Sequence, residues 1–155
     1  MKNKVIIAAD HAGYERKEEI KHALQEEGYE VEDVGAHGND PQDDYPDFII
    51  PAAQKVVEEN VFGIILGGSG QGETLAANKV KGARAALYYG GNPDIVHLSK
   101  DHNNANILSL GARFLTKDEA ITAAKAWLAT TFGNEERHER RLKKIADFEE
   151  QQCNS

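Results

Sequence analysis

Cysteine is almost missing from this chain. The single residue, Cys153, lies near the end of the sequence, so neither a disulfide framework nor a cysteine-based metal site can be built. That scarcity fits a reducing compartment, and a cytoplasmic location is expected. Positive charge is also in short supply: 18 lysines and arginines against 26 aspartates and glutamates leave a net charge of −8. Nucleic acid demands the opposite surface, so it is not an expected partner. Long apolar runs are lacking too. No segment approaches the roughly 18 apolar residues that a membrane span requires, and Val5-Ile6-Ile7-Ala8-Ala9 is too short for a signal-peptide core. What remains is a chain of 155 residues, 40% apolar and 7% aromatic, ordinary for a soluble globule. Its length supports a single domain, residues 1–155, with a core that needs no covalent staple.

Lys4 to Ala9 is a nearly continuous apolar run, the pattern of a strand buried on both faces. Tyr14 to Glu27 follows with Ile20, Ala23 and Leu24 at helical spacing, and Gly28 stops it. Tyr29 to Val34 alternates as a second strand, Gly35 to Asp44 is a polar loop, and Pro46 opens a helix to about Asn60. Val61 to Leu66 predicts a third strand that breaks into Gly67-Gly68-Ser69-Gly70-Gln71-Gly72, after which Glu73 to Lys79 reads as helix. Ala83 to Leu87 and Asn106 to Ser109 predict two more strands, with a helix from Asp94 to about Lys100 between them. Thr116 to Leu128 is helical, with Trp127 in the core, and a charged helix after Gly133 covers about 134–151. This alternation predicts a three-layer α/β/α fold with a five-stranded parallel, Rossmann-like sheet and an extra C-terminal helix. Ligands of such sheets bind outside the carboxyl ends of the strands. Asp10-His11, the glycine loop and Tyr88 to Asn92 fall there.

The glycine loop carries the strongest signal. Four glycines in six residues, between a buried strand and a helix, let backbone N–H groups turn inward around an anion. The Lys-Ser/Thr ending of a P-loop is absent, and the loop is not in the first βα turn, so nucleotide binding is not favoured. A plain tight turn would need glycine equally, but Glu73 follows at once. A carboxylate beside oxyanion donors is what abstraction of a proton alpha to a carbonyl requires. Asp10-His11 and His102-Asn103-Asn104 are further candidates, each with a structural alternative in turns and caps. Arg137-His138-Glu139-Arg140-Arg141 holds three of the six arginines. Arg137 and Arg141 share a helix face, either as part of a solvated surface or as a phosphate clamp. His22, His37 and His97 are read as surface residues. No two histidines have a recognisable metal spacing, so no metal is expected.

Several segments together resemble the ribose-5-phosphate isomerase B family, within the ribose/galactose isomerase group. They are Asp10-His11-Ala12-Gly13, Asp44-Tyr45-Pro46, Gly67 to Glu73, Ala76-Ala77-Asn78-Lys79, His102-Asn103, Gly111-Ala112-Arg113 and Arg137 to Arg141. The resemblance implies a homodimer (possibly a dimer of dimers) whose active sites combine residues of both subunits, with no cofactor. One branch of the family uses a cysteine base where this chain has Gly67. This sequence looks like the other branch, whose base is the glutamate after the loop, here Glu73.

By that resemblance His102 opens the sugar ring while Asp10 holds sugar hydroxyls. Glu73 moves the C2 proton of the open aldehyde to C1. The enediolate charge on O1 meets Ser69 and the backbone donors of Gly68, Gly70, Gln71 and Gly72. His11, Arg113, Arg137 and Arg141 hold the phosphate, and Tyr45 and Asn103 line the sugar. The implied reaction is interconversion of ribose 5-phosphate and ribulose 5-phosphate in the non-oxidative pentose phosphate branch. The same chemistry on allose 6-phosphate, galactose 6-phosphate or a four-carbon sugar phosphate is the nearest alternative. A noncatalytic anion- or nucleotide-binding module with a flavodoxin-like sheet is the alternative of another class. The loop at Gly90 to Pro93, slightly longer than usual in the family, lies on the ligand side.

Overall fold

The hydrophobic pattern of the strands is resolved into two faces by a computed structural model, which describes residues 3–154. Met1, Lys2 and Ser155 of the expected domain lie outside that range. The chain runs β1 (Lys4–Ala9), α1 (Tyr14–Glu26), β2 (Glu30–Asp33), α2 (Pro46–Glu59), β3 (Phe62–Gly67), α3 (Gln71–Ala77) and β4 (Ala85–Tyr88). It continues through α4 (Asp94–Asp101), β5 (Ile107–Gly111), a 3-10 turn (Ala112–Phe114), α5 (Lys117–Ala129) and α6 (Glu136–Cys153). All strand pairs are parallel, in the order β2-β1-β3-β5-β4. The expected architecture is therefore the observed one.

Strand periodicity divides the core. Val5, Ile7, Ala9, Ile64, Leu66, Leu108 and Leu110 point to the side covered by α1, α4 and α5, where Trp127 is fully buried. Ile6, Ala8, Ile65 and Ile107 point to the other side, against Ile49, Ala52 and Val56 of α2 and Ala77 of α3. On the first side α4 is pinned by an unusual anchor. The ammonium of Lys100, buried among the rings of Phe62 and Trp127, donates to the carbonyls of Trp127 (3.0 Å) and Leu128 (3.4 Å). It thereby caps the last turn of α5, and burial pushes its pKa down to about 8.

Element limits differ from the sequence expectation by one or two residues. The third helix begins at Gln71 rather than Glu73, because Gly70 takes a left-handed φ of 78° and its carbonyl receives the Thr74 N–H at 3.0 Å. The fourth strand begins at Ala85, since the Arg84 N–H is taken by the Asn106 side chain at 2.7 Å. The fifth runs on to Gly111, because β3 remains paired with it as far as Gly67. Thr116 is the N-cap of α5, with a capping box to Glu119, rather than its first turn.

The C-terminal helix α6 stands apart from these layers. It is tied to the loop before β4 by Lys81–Glu150 (2.5 Å) and by the Gly82 N–H on Glu149 (3.0 Å). Ile145 and Phe148 remain exposed on it.

Candidate active site

After β1 the chain turns toward β2, whereas after β3 it turns the other way, toward β5 and β4. The loops leaving the neighbouring carboxyl ends of β1 and β3 thus part and leave a crevice. Asp10 and His11 stand on one side of it and the glycine loop on the other.

Asp10 is buried, and its Oδ1 accepts the N–H groups of Ala12 (3.0 Å) and Gly13 (3.2 Å). This short turn fixes the carboxylate at the strand end. The next side chain, His11, is held from a distant segment. Its Nδ1 lies 2.6 Å from Asp43 Oδ1, which also accepts the His11 backbone N–H at 3.1 Å. This bond raises the His11 pKa first of all; burial opposes it, the Asp10 and Asp43 charges add to it, and Arg113 opposes it.

Across the crevice, Glu73 is only 4% exposed. A Cβ built on Gly67 would overlap the Glu73 carboxylate, so the side chain missing at 67 is the space that the carboxylate occupies. Burial raises the Glu73 pKa, its own backbone N–H opposes this, and the nearby Asp10 charge adds to the rise. The loop itself is braced by Ser109, whose hydroxyl donates to the Gly70 carbonyl at 2.9 Å, and by the Gln71 N–H on Ser69 Oγ at 3.3 Å. The Tyr45 ring lies against Gly72, and the Arg113 guanidinium lies over Gly68. The Arg113 N–H also donates to the Gly68 carbonyl at 3.0 Å.

One chain therefore brings together Asp10, His11, Tyr45, Ser69, Gly68, Gly70, Gln71, Gly72, Glu73 and Arg113. It does not bring His102, Asn103, Arg137 or Arg141 to them. Helix α4 leaves the carboxyl end of β4 and returns, so His102, its C-cap, comes back to the amino edge of the sheet. There the Arg84 guanidinium, just before β4, donates to the Asn104 carbonyl at 2.7 Å. The length of β5, five residues at about 3.3 Å each or roughly 16 Å, lies between the two edges.

At the amino edge the His102 ring stacks on the buried ring of His138, centroids 4.2 Å apart. Asp101 Oδ2 lies 3.6 Å from His102 Nε2. Asn103 lines a groove of about 730 Å3 with Arg84, Leu142 and Ile145. Arg137 is exposed and paired with Glu135 at 3.0 Å. Arg141 is exposed and has no hydrogen bond or ion pair among the described residues.

Asp43 escapes the sequence reading, and His138, quoted there only as part of the arginine segment, is the ring stacked on His102. Asp43 sits in the polar loop beside Asp44, and only the fold joins it to His11. Asp10, His11 and Asp43 are also the only group of three or more acidic or histidine residues among the described residues with ligand atoms all within 4.8 Å of one another. His11 Nδ1 and Asp43 Oδ1 satisfy each other, which leaves Nε2 as the free ring nitrogen.

A model of the Ribose/Galactose Isomerase family matches residues 5–145. Ribose-5-phosphate isomerase B of Mycobacterium leprae is 43% identical over 147 residues, 94% of this chain and 90% of that protein. A solved ribose-5-phosphate isomerase B of Clostridium thermocellum superimposes with a TM-score of 0.90 at 42% identity, covering 96% of this chain and 98% of that one. Another, from Mycoplasma genitalium with bound ribulose-5-phosphate, gives 0.90 at 38% identity over 95% and 96% of the two chains.

Proposed function

The chain belongs to the ribose/galactose isomerase family, and on that footing we infer that it interconverts ribose 5-phosphate and ribulose 5-phosphate. The observation that carries the reading is the buried Glu73 carboxylate, seated over Gly67 beside a loop rich in backbone donors. In the proposed mechanism His102 opens the furanose ring and Asp10 holds the sugar hydroxyls. Glu73 removes the proton from C2 and delivers it to C1. The oxygen on C1 gains negative charge as the enediolate forms, and the N–H groups between Gly68 and Gly72, with Ser69, meet it. A raised proton affinity suits this base, which must accept a carbon-bound proton and then release it. His11, Arg113, Arg137 and Arg141 take the phosphate, so binding energy at the unreactive end orients the reacting one.

The active unit of this proposal is a homodimer. His102, Asn103, Arg137 and Arg141 belong to the amino-edge cluster, and a second copy would bring them to Glu73. The apolar residues left exposed on α6 and the groove beside it support that pairing. We also place the enzyme in the cytoplasm, which the single cysteine favours. No helix among the described residues is long and apolar enough to cross a membrane.

The test is solvent exchange. In deuterium oxide the enzyme should wash deuterium into C2 of ribose 5-phosphate, and Glu73→Gln should lower that exchange by about 10³-fold. Near-normal exchange in the variant would remove Glu73 as the base. Parallel rates on ribose, allose and galactose phosphates would show whether the five-carbon sugar is preferred.

A further inference from the structure

His11 is exposed by 28% at the side chain, whereas the Asp43 carboxylate that holds it is only 9% exposed. A carboxylate set deeper than the half-buried imidazole in front of it is a directional arrangement. Asp43 Oδ1 accepts both the Nδ1–H and the main-chain N–H of His11. Its other oxygen, Oδ2, is buried with no hydrogen-bond partner among the described residues. Among the described residues no lysine or arginine is paired with this carboxylate, and its side-chain hydrogen bonds go to His11 alone. With Nδ1 engaged, Nε2 is the only ring nitrogen left to face a ligand.

We propose that Asp43 is a positioning residue of the phosphate subsite, holding His11 by Nδ1 so that an Nε2–H donor is presented to the phosphate of the sugar. This rests on the reading of His11 as a phosphate ligand. The chemistry follows from the two states of the ring. A neutral imidazole that donates from Nδ1 to Asp43 has a lone pair on Nε2, which repels a phosphate oxygen. The imidazolium donates from both nitrogens and grips Asp43 and phosphate together. The groups facing His11 are Asp43 and Asp10, which favour the imidazolium, and Arg113, which opposes it. Arg113 faces the same anion, so without Asp43 it would tend to discharge the histidine beside it. Asp43 keeps two cationic donors compatible in one subsite.

The experiment measures competitive inhibition by inorganic phosphate, from about pH 6 to about pH 9, for the unmodified enzyme, His11→Ala and Asp43→Asn. The imidazole Cε1–H of His11 is titrated by NMR in parallel, its signal assigned by its absence in His11→Ala. Phosphate ionises identically in every sample, so the ratio of inhibition constants isolates the protein. Near pH 8, Asp43→Asn should weaken phosphate about ten-fold, with a much smaller effect near pH 6, where the ring is protonated without help. KM for ribose 5-phosphate should rise by more than kcat falls, and the His11 titration should move to lower pH. A pH-independent loss, or an unmoved His11 titration, overturns the role of Asp43 while His11→Ala still weakens phosphate. Should His11→Ala leave phosphate inhibition intact, the phosphate assignment itself fails, and the proposal with it. The titration in the unmodified enzyme is a check that needs no variant: a His11 pKa at or below about 6.5 contradicts the pairing.

Discussion

At the carboxyl edge of the sheet the candidate side chains are fixed by their own chain: Asp10 by two backbone N–H groups, His11 by Asp43, and Glu73 by the space over Gly67. At the amino edge the corresponding residues are loosely furnished. His102 leans on another imidazole, Arg137 and Arg141 are exposed, and the helix that bears the arginines shows Ile145 and Phe148 to solvent. The first region is preorganised by contacts within one chain. The second is a surface with exposed arginines and apolar side chains. On the proposed mechanism the two regions are halves of one site, and their unequal order follows from where each half is completed.

The contrast would be lost most completely by disturbing the preorganised half. Gly67→Ala inserts a methyl where the Glu73 carboxylate lies, and a displaced base should lower kcat by about 10²-fold. Steady-state kinetics checks this, with thermal unfolding to confirm that the fold persists. Unaltered kcat would mean that the position of the carboxylate over Gly67 is not the reactive one.

The second prediction concerns the division between copies. Glu73→Gln and His102→Gln should each be nearly inactive alone. Mixed after dissociation and reassociation in equal amounts, they should recover about a quarter of the unmodified activity. Half the dimers are then mixed, and one of the two sites in each carries both native residues. Failure to recover any activity would place both residues in one subunit's site and dissolve the distinction between the two edges.

The smallest effect is on stability. Burial raises the Glu73 pKa, so the folded state binds a proton more tightly than the unfolded chain. Stability therefore falls as pH rises from the ordinary carboxylate pKa through the raised one, and above that window the cost of the buried charge is complete. Glu73→Gln removes it, and Tm at neutral pH should rise by about 2–4 °C. The gain should vanish below about pH 4, where the carboxyl is neutral in both states. The same raised pKa sets the acid limb of kcat/KM above the ordinary carboxylate range, since only the deprotonated group acts as base.

The apolar runs of β1, β3 and β5, set between charged helices, made the sheet legible from the sequence, because burial on both faces favours apolar residues. Strand limits were less legible, since Asn106 and Gly70 act through side-chain and backbone geometry that has no periodic trace. For the site, Asp10, the glycine loop and Glu73 could be placed because strand ends are predictable positions in a parallel sheet. Asp43 could not. Its partner is 32 residues away, and neither the spacing nor the composition of a polar loop reveals which carboxylate folds inward. The distance between Glu73 and His102 within one chain was equally hidden, because it depends on α4 running back along the sheet.

The seat over Gly67 also bears on descent. The sequence resemblance implies a branch whose cysteine base hangs from the position of Gly67, and here the carboxylate of Glu73, from the first turn of α3, fills that volume. Two residues compete for one place, so a side chain at 67 would displace the Glu73 carboxylate from its seat. A lineage passing from one to the other meets a crowded intermediate if position 67 grows first, and a baseless one if position 73 shrinks first. On the proposed mechanism a single substitution at either position should therefore not carry a sequence across.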